Sequence, residues 1–303
     1  MKRTTIVQAV LALALLVVPA MPAHAFFVTF VASNGNDAND CGSPATACRH
    51  ISRALAVTNL QGEITCVDSA EYGEATVTIG FSVTIDCRQN TGDLPPFEIN
   101  GAGIVVTLKN LDQFVDTAPA VEFTNGAALI LQNVHLFRFS GHAIRFVPAT
   151  NAQLVVSDCR IDSSANAAGI LIKPASGVQA SFAIERTVIR GNRWGIAADG
   201  TNGGSISGTA SDSVVTGNSD VGILTQGSGP SVTVAVDNVR VTNNGVGLWA
   251  QDSTAILARR SFITGNGTGV QASGSGAVFS YGDNSLNANV NSNGAFSAMV
   301  GLK

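Results

Sequence analysis

Charge is scarce in this chain. Asp, Glu, Lys and Arg make up 13% of its 303 residues, with 21 acidic side chains against 17 basic ones. So acidic and charge-poor a composition argues against nucleic acid or an anionic membrane as partner, because both are recruited by clustered Lys and Arg. Histidine is rarer still, at His24, His50, His135 and His142, which leaves little material for a Ser-His-Asp triad. No His-Glu-x-x-His, Cys-x-x-Cys or glycine loop ending in Gly-Lys occurs, which argues against a zinc hydrolase or a nucleotide enzyme. Long apolar runs are missing too. The nearest, Ile6 to Val18, is too short to span a bilayer. Lys2 and Arg3 before it and Ala23-His24-Ala25 after it complete the three regions of a secretory signal peptide. The expected organisation is a leader over 1–25 and one domain over 26–303, secreted, periplasmic or on the cell surface, without a membrane span after cleavage. Removal of the leader leaves 15 basic residues against 21 acidic ones, a net charge near −6.

The second half of the chain is rich in Gly and Asn and returns to one phrase: RGNRWGI (190–196), TGNSDVGI (216–223), TNNGVGL (242–248) and TGNGTGV (264–270). An aliphatic column runs through Leu136, Ile161, Ile189, Val215, Val241, Ile263 and Leu286, at spacings of 25, 28, 26, 26, 22 and 23. A second follows the turn, at Ile144, Ile170, Ile196, Ile223, Leu248 and Val270. Two columns in step across a variable background mark a stacked repeat, because no single unit could bury such a face alone. Within a repeat, as in Asn238-Val239-Arg240-Val241, apolar and polar residues alternate as in a strand. Each repeat therefore reads as one coil of a β-solenoid. The column Asn192, Asn218, Asn244, Asn266 and Asn289 is placed to bond from coil to coil.

Two cysteine pairs follow from this frame. Cys41 and Cys48 bracket a Gly/Ser/Pro loop, and Cys66 and Cys87 hold matching places one coil apart, as an oxidising compartment favours. Cys159 falls in an inward column as a buried thiol. Residues 48–58 read as a short helix within an N-terminal cap over 26–62, covering the open end of the stack. FSAMVGLK (296–303) offers a final strand.

With its repeats and its opening FVTFVASNGNDANDCGSPATACRHISRALA (27–56), the chain resembles the right-handed parallel β-helix proteins of the pectin-lyase-like superfamily. The resemblance covers nearly the whole mature chain and implies an all-β solenoid of about ten coils. It further implies an extracellular polysaccharide or cell-surface glycan as partner, bound and in some members cleaved by a lyase or glycoside hydrolase. The enzyme signatures of that superfamily are absent: Gly141-His142-Ala143 stands where polygalacturonase-like members carry Gly-His-Gly, and no Asp-Asp pair or Trp-x-Asp-His occurs. A non-catalytic adhesin-type solenoid with a protein partner is the alternative.

The repeat register sets Asp112, His135 and Arg160 side by side and outward, with Asp158 nearby. As a catalytic set, Arg160 would neutralise a uronate carboxylate, His135 would remove a proton, and Asp112 and Asp158 would orient the base or hold Ca2+. The competing reading is a stack of alternating charges. Glu122 with Arg145, and Trp249 for stacking on a sugar ring, are candidate carbohydrate contacts. Asp37 and Asp40, in an oxygen-rich loop, are candidate Ca2+ ligands, although the loop lacks the glycine and terminal Glu of an EF-hand.

Overall fold

The computed structural model describes residues 25–72, 74–87, 94–114, 119–162, 166–227 and 231–301. The leader expected over 1–25 lies, but for Ala25, outside these residues. Every strand pairing among the described residues is parallel and joins one coil to the next, giving sheets of twelve, nine and eight strands. A coil passes from the nine-stranded to the twelve-stranded and then to the eight-stranded sheet. The first to do so fully uses Phe97–Asn100, Val105–Lys109 and Asp112–Phe114, and the last Thr268–Ser273, Ala277–Ser280 and Ser285–Leu286. Among the described residues complete coils thus number eight, as set by the eight-stranded sheet, rather than about ten. The expected surplus consists of partial coils. Among the described residues Val77–Ile79 and Val83–Asp86 have no counterpart in the third sheet, and Phe26–Val31 and Thr58–Cys66 join only the twelve-stranded one.

Both aliphatic columns lie in register inside the solenoid. Leu136 pairs with Ile161, and the line continues through Ile189, Val215, Val241 and Ile263, all at 0–1% exposure. The core is a stack of such rows, closed at one end by the helix Ile51–Val57, which buries Ile51, Ala54 and Leu55. That helix is shorter than expected because its N-terminal backbone donors are met at Ile51, where Glu74 accepts from the Ile51 and Ser52 amides. Disulfides Cys41–Cys48 and Cys66–Cys87 tie the loop before the helix and two neighbouring coils. At the far end Ala298–Met299 pairs with Phe279–Ser280 as a last strand.

Where the first seven complete coils turn from the twelve-stranded to the eight-stranded sheet, one residue adopts a left-handed backbone: Asn110, Asn133, Asp158, Arg186, Asp212, Asn238 and Arg260, all with φ between 45° and 55°. Asn and Asp tolerate that conformation best. This corner resets which way side chains point on entering the eight-stranded sheet.

Candidate functional site

The outer face of the eight-stranded sheet carries two rows of side chains. Asp112, His135 and Arg160 stand next to one another in the first, and Phe137, Asp162 and Arg190 in the second. Three of the expected residues are therefore brought together, and Asp158 is not. It occupies the left-handed corner, where Arg186 binds it through Nε and Nη2 at 2.7 and 2.9 Å. Its place in the cluster is taken by Asp162. The signal for Asp162 was present in the alternation: outward positions flank the inward Ile161 on both sides, at 160 and at 162.

Asp162 is the hub. Its side chain is 11% exposed and accepts from Arg160 Nε at 2.6 Å and from Arg190 Nε and Nη2 at 2.8 and 3.2 Å. His135 Nε2 lies 3.3 Å from the same carboxylate, and Nδ1 lies 2.9 Å from Asp112 Oδ1. The Asp112 contact is electrostatic, since no directed hydrogen bond reaches that buried oxygen. Phe137 stacks against the His135 ring with centroids 4.7 Å apart. Burial alone would push the pKa of Asp162 up, but hydrogen bonds from Arg190, Arg160 and His135 outweigh it and hold the carboxyl below its ordinary 3.8.

The sign of that shift fixes a pH dependence. A carboxylate with a depressed folded-state value adds stability above the unfolded value and loses it as pH falls through the folded one. Asp162→Asn should therefore cost about 1–2 kcal/mol at neutral pH, the two arginines being half exposed. That difference from wild type should shrink below about pH 4. Urea unfolding at several pH values measures both, and a pH-independent gap would contradict the assignment.

Chemically, the cluster is arranged to hold cations upright rather than to move a proton. Both ring nitrogens of His135 face carboxylates, so neither is presented to a ligand as a base. Arg160 spends only Nε on Asp162, and its side chain is 47% exposed, which leaves its Nη donors toward solvent.

The other candidates lie elsewhere. Glu122 and Arg145 pair with each other on the outer face of the nine-stranded sheet. Trp249 stands four strands further along that face and donates Nε1–H to Ser273 at 3.2 Å. His142, at the bend, accepts the Ala168 amide; burial first and the charge of Arg145 second push its pKa down from the ordinary histidine value. Asp37 and Asp40 spend their oxygens on their own loop. Asp37 accepts from the Arg49 and His50 amides and contacts His50 Nδ1, while Asp40 accepts from the Gly42 amide. Among the described residues no three His, Cys, Asp or Glu side chains converge as metal ligands, and no helix is long and apolar enough to cross a membrane.

The family described as "Periplasmic copper-binding protein (NosD)" matches residues 101–296, which is 196 of the 303 positions. Among solved structures, the crystal structure of pectate lyase Pel9A is similar over 86% of this chain and 70% of its own, with 16% sequence identity and a TM-score of 0.44. No curated protein matches.

Proposed function

The chain belongs to the NosD family of periplasmic copper-binding proteins, and from that premise we propose that it is a periplasmic β-helix which binds an acidic polysaccharide along the outer face of its eight-stranded sheet, without cleaving it. One observation carries this reading. The charged outward side chains described on that face are Arg160, Arg190 and Arg240 against Asp112 and Asp162, with His135 between the aspartates. The surplus is positive on this face of a chain whose overall charge is negative. Parallel strands set such groups about 4.8 Å apart, a ladder suited to a polymer lying along the solenoid axis. Arginine fits because its planar fork meets a uronate carboxylate through paired donors.

Copper does not enter the proposal. It takes thiolate, thioether or imidazole ligands gathered at one point. Among the described residues His50, His135 and His142 sit on separate elements, each with a partner already. Four cysteines are in disulfides, and burial pushes the Cys159 thiol up to about 12. Met299 stands on the last strand, apart from all of these. This donor set does not fit copper.

Arg160→Ala with Arg190→Ala tests the reading. Titration of the double variant with a uronate oligomer should show affinity lowered roughly a hundredfold, while wild type releases no ultraviolet-absorbing unsaturated product. Unchanged affinity would remove the site, and product release would make the protein a lyase. The adhesin-type alternative draws on the exposed Val290 and Met299 of the last coil; it predicts that no glycan binds.

A further inference from the structure

Further along the same sheet, starting on the strand next to that of Arg190, the outward row reads Val214, Arg240 and Phe262, beside Thr216, Thr242 and Thr264. Val214, Arg240, Thr242 and Phe262 line a cleft of about 400 Å³. Phe262 is 53% exposed, and the Thr242 hydroxyl donates to Thr216 at 3.0 Å. Arg240 differs from arginines in comparable places. Arg160 and Arg190 each face an aspartate at 2.6–3.2 Å. Among the described residues Arg240 has no carboxylate partner, and the groups nearest it in the cleft are apolar or hydroxylic.

An unpaired guanidinium in a concave pocket with an aromatic wall is an anion site with an apolar side. The cation meets a carboxylate or sulfate through two parallel hydrogen bonds. The exposed ring gains by covering the hydrophobic C–H face of a sugar, and the threonine pair offers hydroxyls to the sugar's own. We infer that this cleft is a second contact point for an acidic glycan, with Arg240 receiving one carboxylate or sulfate and Phe262 packing beneath the sugar that bears it. The inference rests on the glycan-binding reading above. The strand of Arg240 lies three spacings, about 14 Å, from that of Arg160, so one extended oligomer can engage both points while a very short one reaches only one.

The test titrates the intact mature chain with short and long uronate oligomers and with a sulfated oligosaccharide. Arg240→Ala should weaken the long oligomers about tenfold or more, and Phe262→Ala should weaken them less. Arg240→Lys should recover part of the loss, since it keeps the charge without the fork. Both residues are on the surface, and an unchanged thermal midpoint establishes that the variants fold. The oligosaccharide whose binding responds to Arg240→Ala identifies the anion as carboxylate or sulfate. If the long oligomers bind Arg240→Ala and Phe262→Ala as tightly as wild type, while Arg160→Ala with Arg190→Ala loses them, the cleft is no subsite and the first reading stands. If wild type binds none of the three, both are overturned.

Discussion

Asn244→Ala is expected to lower the stability of the solenoid by about 3–5 kcal/mol, several times the effect of the same change at Asn289. Asn244 is 3% exposed and sits mid-ladder. Its Oδ1 accepts the Asn218 amide at 3.0 Å and Asn218 Nδ2 at 2.9 Å; its Nδ2 donates to Asn266 Oδ1 at 2.9 Å and to the Val215 carbonyl at 3.1 Å. Alanine removes all of these and leaves buried donors at Asn218 without partners, while the Val215 carbonyl keeps only its place in the strand ladder. Each such group costs about 1–3 kcal/mol, because no water reaches it. Asn289 bonds upward to Asn266 and lies half exposed at the end of the row, where solvent replaces lost partners. Urea unfolding of the two variants gives the comparison, and equal losses would show that the ladder does not carry the stability assigned to it.

Gly208→Val is expected to cost about 3 kcal/mol, and to regain most of it when Phe182→Val is added. Gly208 interrupts an inward row that runs Leu154, Phe182, Gly208, Val234 and Ile256. The absent side chain leaves a gap, and the Phe182 ring of the neighbouring coil fills it: a Cβ on Gly208 would come within 2.1 Å of the ring. Phe182 is 4% exposed. A branched side chain at 208 must expel the ring from the core, which combines overpacking with lost burial. With valine at both places the row becomes uniformly aliphatic. Additive losses in the double-mutant cycle would refute the complementarity.

These two sites also show what could be read from the chain. The asparagine ladder, both aliphatic columns and both cysteine pairs were legible because each depends only on spacing, and parallel stacking turns equal spacing into contact. The pairing of Phe182 with Gly208 was not, since the row alone shows a small residue among aliphatic ones and nothing of which neighbour leans into the space. Asp158 stands outside the cluster and Asp162 within it for one reason. Strict alternation was carried through the corner, but the left-handed residue at 158 breaks it. Counting outward from Ile161, on the strand side of the corner, reaches both Arg160 and Asp162. The Arg240 cleft escaped because what marks it is a missing partner, and a lone arginine in sequence looks like any other. The coil count ran high because partial coils at the capped end share the spacing of complete ones.

Arg160 and Arg190, held by Asp162 on the outer face with no free base beside them, are proposed to bind acidic glycan without cleaving it. Calorimetric titration of the purified mature protein, without added metal, with a uronate oligomer and with the same oligomer carboxyl-reduced to its neutral form tests it most directly. The account predicts saturable binding of the acidic oligomer that weakens with salt, and none of the neutral one. Equal binding of the two, or of neither, would contradict it.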